Sequence, residues 1–82
     1  MDKSDLKMHL DKLKVNQGYY SLDGDILPDR LVLYQNYNMW EVFYFDERGN
    51  RKDERVFMTE SDACNYILEH FKKQKEIERR FK

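Results

Sequence analysis

The chain is poor in the residues that usually announce a chemistry: its 82 residues include one cysteine, one proline and three glycines. A single cysteine, Cys64, closes no internal disulfide, and with only His9 and His70 far from it the chain offers no zinc-ligand spacing. The glycines, Gly18, Gly24 and Gly49, stand apart at turn-like positions, so no glycine-rich phosphate cradle is present. No apolar run approaches the roughly 20 residues of a membrane helix. The opening Met1-Asp2-Lys3-Ser4-Asp5 lacks the charged-then-apolar plan of a secretory signal, and no Asn-x-Ser/Thr site occurs. These absences lead to the expectation of a cytoplasmic protein with no membrane segment, no cofactor and no structural metal.

What is there suits one small folded domain. Hydrophobic residues make up 40%, among them one Trp, six Tyr and five Phe, enough large side chains for a core despite 38% charged residues. The net charge of −1 hides an asymmetry. Residues 1–71 hold nine Lys/Arg against fourteen Asp/Glu, while residues 72–82 hold six against two, so an acidic body carries a basic tail. A basic helix end can touch nucleic acid, but it equally suits the negative end of the helix dipole, which is the simpler reading.

Leu6, Leu10 and Leu13 recur at i, i+4 and i+7 after Asp2 and Ser4, which predicts a capped helix over 4–15 with a narrow apolar stripe. From Tyr19 the period changes to that of strands, at about 19–22, 30–37, 39–46 and 53–58, separated by Asp23-Gly24-Asp25, Asn36-Tyr37-Asn38 and Glu47-Arg48-Gly49-Asn50. In the third strand Trp40, Val42 and Tyr44 point one way, and Phe43 and Phe45 the other with Glu41. Apolar residues on both faces call for a central strand covered on both sides. One cover is a long helix over 60–80, opened by Thr59 as N-cap with Asp62 three residues on. Ala63, Cys64, Tyr66, Ile67, Leu68, Phe71, Ile77 and Phe81 fall within about half its circumference. The second cover is open between the N-terminal helix, a second copy of the chain and a foreign partner.

A test for catalysis finds the potential nucleophiles and bases Cys64, Ser21, Ser61, His9 and His70 in no recognisable constellation. Cys64 and His70 lie about 9 Å apart along a helix and on different faces, so they should not pair. Asp23, Asp25 and Asp29 cluster before the second strand but lack the further ligands, glycine and glutamate of a calcium loop, leaving a solvated negative patch suited to a basic partner. Sheet aromatics can stack bases, yet the surrounding sheet is acidic, and Arg48, Arg51, Lys52 and Arg55 are interleaved with Asp46, Glu47, Asp53 and Glu54. Protein recognition fits the composition better. Tyr34, Tyr37 and Tyr44 are the candidate interface aromatics, with Tyr37 the most exposed; Trp40 and Phe43 belong to the core.

Tyr20-Ser21-Leu22-Asp23-Gly24, Pro28-Asp29-Arg30-x-Val32-Leu33, Trp40-Glu41-Val42-Phe43-Tyr44, Glu47-Arg48-Gly49 and Phe57-x-Thr59-Glu60-x-x-Ala63-Cys64-x-Tyr66 form a series. Over roughly residues 19–71 it resembles a family of small bacterial proteins from polymorphic-toxin gene neighbourhoods, where such proteins look like immunity partners. The resemblance implies a single-domain cytoplasmic binder that occludes a toxin's active site or substrate cleft, and it brings no established site residues. Asp46 departs from the smaller residue expected there, and partner choice would reside there or in the two terminal helices.

The expected fold is therefore α+β: an antiparallel meander of three to four strands, the long C-terminal helix packed on one face, and the N-terminal helix on an edge or the other face. The expected function is non-catalytic protein binding, most simply toxin neutralisation, with Asp23, Asp25, Asp29, Tyr37 and Glu47 as contacts. The rival is a nucleic-acid or regulatory module acting through Lys72, Lys73, Lys75, Arg79 and Arg80. A homodimer is compatible with either.

Overall fold

The computed structural model describes residues 1–80 and has the order α1 (Lys3–Lys12), a 3-10 turn (Gln17–Tyr19), β1 (Tyr20–Ser21), β2 (Arg30–Asn36), β3 (Met39–Phe45), β4 (Arg51–Phe57) and α2 (Glu60–Arg80). Phe81, expected on the apolar stripe of the last helix, lies outside the described residues, as does the side chain of Arg80. The fold is α+β, as expected. No described helix is long and apolar enough to cross a membrane.

Local chemistry accounts for the helix ends. Asp2 caps α1: its carboxylate accepts from the Asp5 N–H at 2.9 Å, and Asp5 accepts from the Asp2 N–H in return. The helix stops at Lys12, earlier than the stripe suggested, because Lys14 takes the left-handed conformation (φ 60). Lys14 N–H then reaches Asp11 O and Val15 N–H reaches Leu10 O, a C-terminal closure that usually employs glycine. Val15 and Leu10 are both buried there, the apolar contact that accompanies this closure. At the start of α2, Thr59 Oγ1 accepts from the Asp62 N–H at 3.1 Å, as its position predicted.

The sheet has the order β1-β2-β3-β4. β2, β3 and β4 form the antiparallel meander, with Leu33 opposite Val42 and Trp40 opposite Phe57, but β1 joins the edge parallel to β2. A parallel neighbour cannot be reached by a hairpin, so residues 22–29 must cross a face of the sheet. That face is the one away from the helices: a Cβ on Gly24 would stand 3.9 Å from the ring of Tyr34, which points opposite to Leu33.

Both helices lie on the other face, which corrects the expected placement of α1. Leu6 and Leu10 join Ala63, Cys64, Ile67, Leu31, Leu33 and Val42 in one core, and the Lys3 ammonium sits 5.6 Å from the centre of the Trp40 ring. The small side chains of Ala63 and Cys64 give the leucines of α1 room against α2. Lys3 N–H donates to Glu60 Oε1 at 3.0 Å, tying the two helix starts together so that both run the same way. The second cover required by β3 is thus supplied within the chain, by the crossing segment and by Arg51. Val32 and Phe43 are completely buried without a helix above them.

A β-bulge shapes β4. Opposite β3 the register shifts between Val42 and Tyr44, and Asp53 absorbs the extra residue at φ 53. The shift puts Arg51 on the face of Phe43 and Lys52 on the helix face beside Tyr44.

Candidate functional site

The potential nucleophiles are occupied or enclosed. Cys64 is fully buried, and burial, with Glu60 nearby, pushes its thiol up to about 11. Ser21 Oγ donates to Asp25 O at 2.7 Å and steadies the crossing segment. His70 packs edge-on to Phe71, and burial lowers its pKa, with Lys73 pushing the same way against Asp53. Among the described residues no three His, Cys, Asp or Glu side chains gather as a metal site would require.

The distinctive chemistry lies where β2 begins and β3 turns into β4. Asp29, left-handed at φ 59, donates its N–H to Phe45 O at 2.7 Å, which pins the end of the crossing segment to β3. Asp46 organises the turn: one carboxylate oxygen accepts from the N–H groups of Arg48 (2.9 Å) and Asn50 (2.8 Å), and the other lies 3.6 Å from the Lys52 ammonium. The Asn50 hydrogen bond, the one from Arg48 and Lys52 together hold its carboxyl below the usual range against a smaller opposing effect of burial. Asp46 is therefore a structural residue here, and the turn needs its side chain. Tyr44 stands between these groups, its hydroxyl 3.4 Å from Asp29 Oδ1. Its phenol is raised by burial and then by the negative charge of Asp29, Asp46 and Glu47.

Two of the five expected contact residues meet at this end: Asp29 and Glu47 line the same hollow of about 370 Å³ with Tyr44. The others do not join them. Asp23 and Asp25 sit exposed on the segment that crosses the helix-free face. Tyr37 is 92% exposed, but at the opposite end of the β2–β3 hairpin, about 20 Å away by strand rise.

The second half of α2 extends beyond the core. After Phe71 all its described side chains are exposed except the half-buried Lys75. Between this overhang and the acidic end of the sheet lies an open groove of about 690 Å³, walled by Tyr19, Leu31, Tyr44, Phe71 and Ile77 and edged by Asp29, Lys52, Asp53 and Glu78. On the other side of the overhang, Lys75 and Arg79 meet Lys12, Leu13 and Lys14 around a hollow of about 360 Å³. Lys72 is not part of that hollow and pairs with Glu69 at 3.6 Å, while Lys73 faces a shallow pocket with Tyr66 and His70.

Sequence reasoning missed Tyr19, Lys52, Asp53 and Ile77 as groove residues, and Lys12 and Lys14 as neighbours of the basic tail. Ile77, expected on the apolar stripe that packs on the sheet, is instead 54% exposed, because α2 runs past the sheet after Phe71. No protein-family model, curated protein or solved structure matches this chain.

Proposed function

We propose that this protein is a non-catalytic binding module that neutralises a bacterial toxin by covering its active site or substrate cleft. The observation that supports it is the meeting of Asp29 and Glu47 at Tyr44, in a hollow shared with Arg48 and the paired Asp46 and Lys52, beside an open, aromatic-walled groove edged by Asp53. Clustered carboxylates steer a basic partner toward the surface, and an aromatic side chain among them supplies contact area that survives desolvation. A toxin that works on an anionic substrate presents such a basic cleft. The acidic body, −5 over residues 1–71, acts in the same direction.

The test looks for a toxin gene next to the gene of this protein and measures whether the protein protects cells that express that toxin. The expected result is survival with the wild-type chain, and reduced protection with Asp29→Lys and Glu47→Lys together, through slower association that depends on salt. Cells that die equally with and without the wild-type protein reject the toxin-neutralising role.

A second reading has its own observation. The convergence of Lys12, Lys14, Lys75 and Arg79, with Glu78 the one acid among the described residues that line the hollow and paired to Lys75 at 3.6 Å, gives a phosphate backbone a place to lie. On this reading single-stranded RNA binds at low salt, and Lys14→Glu with Arg79→Glu abolishes it. Absence of binding at low salt removes the reading.

A further inference from the structure

We propose that the groove between the overhanging half of α2 and the acidic end of the sheet receives a basic, amphipathic helix of a protein partner. The inference rests on the protein-binding reading above and names the surface and the partner's chemistry.

The groove exposes apolar area that the chain does not cover. Tyr19 is 60% and Ile77 54% exposed, and Tyr44 is exposed between them, while Phe71 and Leu31 close the floor. Apolar side chains gathered in one concavity mark an interaction surface far better than the same residues scattered. Ile77 is especially telling, because the helix around it serves no core: an isoleucine there gains nothing until something packs on it.

Charge selects the occupant. Asp29, Asp53 and Glu78 edge the groove against Lys52; Lys52 lies near Asp46 and Glu78 near Lys75, so the excess of negative charge rests on Asp29 and Asp53, with Glu47 just outside beside Arg48. An apolar segment flanked by Lys or Arg fits that rim, and an acidic one is repelled. The form of the segment follows from the walls. β4 is the neighbouring sheet edge, but its bulge at Asp53 breaks the regular ladder that an added strand would need. A helix lying alongside α2 requires no strand edge and places apolar side chains at i, i+3 or i+4, and i+7 into such a groove.

The probe is a synthetic amphipathic peptide of about 18 residues, long enough to form a helix on binding, with a leucine stripe and lysines elsewhere. The control has glutamate in place of each lysine. Titrated into isotope-labelled protein, the lysine peptide should shift the amide resonances of Tyr44, Lys52, Asp53, Gln74 and Ile77 saturably, and the glutamate peptide should not. Ile77→Ser should weaken binding about tenfold, as loss of an apolar anchor does. Asp53→Asn, which keeps a residue tolerant of the left-handed backbone, should weaken it by about threefold, as loss of one rim charge does. Both positions are exposed, so both variants should keep the wild-type melting transition.

The proposal is overturned if neither peptide saturates, if both bind equally, if the shifts centre on Val32 and Val56, or if dilution alone moves the groove resonances, which would make the occupant a second copy. The two readings fail separately. Protection of cells retained by Ile77→Ser, despite loss of peptide binding, places the partner elsewhere on the molecule. Absent protection with peptide binding intact rejects the toxin and keeps the groove.

Discussion

The guanidinium of Arg51 lies 4.5 Å from the centre of the Phe43 ring, on the sheet face that carries no helix. Phe43 is wholly buried, with Phe45 edge-on at 6.5 Å, so the cation and its aliphatic stem act as part of the roof over an aromatic core residue. Arg51→Ala should lower stability by about 1 kcal/mol, the sum of a cation–π contact and lost cover. Arg51→Lys, which keeps charge and stem but not the flat guanidinium, should lose less. Urea unfolding of the two variants measures both, and equal losses would show that only the stem matters.

Arg51 reaches that face because Asp53 occupies the bulge, which gives a second prediction. At φ 53 a β-branched residue is strained. Asp53→Val should therefore cost about 1–2 kcal/mol, while Asp53→Gly should be neutral or slightly stabilising. Deleting Asp53 has a different outcome: it removes the bulge while leaving Lys52 opposite Tyr44 and Arg51 opposite Phe45, so both side chains keep their faces. That variant should keep the upfield ring-current shift of the Arg51 side chain, which a side-chain NMR spectrum reads directly, and loss of the shift would mean that the ladder had slipped by a residue.

These relationships show where sequence reasoning stops. The periodicities of Leu6-Leu10-Leu13 and of the stripe through Phe71 were legible, and so were the hairpin turns, because each is a local pattern. The parallel pairing of β1 was not. Its two residues, Tyr20 and Ser21, are too few to show any pattern, and their direction is set by residues 22–29 crossing the sheet. The apolar double face of β3 correctly announced two covers, yet the second comes from a glycine-containing loop and an arginine, which no apolar stripe advertises. The expected contact residues were chosen by charge and turn position, and those properties say nothing of which end of a hairpin a residue occupies. Asp29 and Glu47 consequently converge while Tyr37 lies at the far end.

The same gap explains the basic cluster. Lys12 and Lys14 are ordinary end-of-helix charges when read along the chain, and only the parallel docking of α1 beside α2 brings them to Lys75 and Arg79. Reversing Lys14 to Glu should consequently do more than remove a charge from the end of α1. It places an acid among Lys12, Lys75 and Arg79, and any anion affinity measured with heparin should fall, whereas Lys7→Glu on the exposed face of α1 should leave it unchanged.

Cys64 yields a prediction about reactivity. The thiolate is the reacting species, and a fully buried thiol held at about 11 is almost entirely protonated at pH 8. Iodoacetamide should therefore modify the folded protein only at the rate at which the core opens, and modify it fully in urea. Cys64→Ser should also destabilise by about 1–3 kcal/mol, since the hydroxyl enters an apolar site between α1 and α2. Rapid native-state alkylation would mean that α1 detaches from α2 far more readily than the rest of the fold opens.

His70 supplies the pH dependence. Burial lowers its pKa below the ordinary 6.5, Lys73 adds to that, and Asp53 opposes it. Folding therefore favours the neutral ring, and around pH 6 the unfolded chain binds more protons at this position than the folded one. Stability linked to His70 is present above the unfolded pKa and is lost as pH falls through the folded value. Asp46 acts in the same direction but in a lower window, because its carboxyl is held below 3.8 by the Asn50 and Arg48 hydrogen bonds. The melting temperature should accordingly decline from pH 7.5 to pH 5.5 in the wild type and decline less in His70→Gln, with the steep acid loss below pH 4 common to both. The ring resonances of His70 should titrate below the ordinary 6.5. A His70 midpoint above 6.5 would make the Asp53 interaction dominant and reverse the sign of the slope.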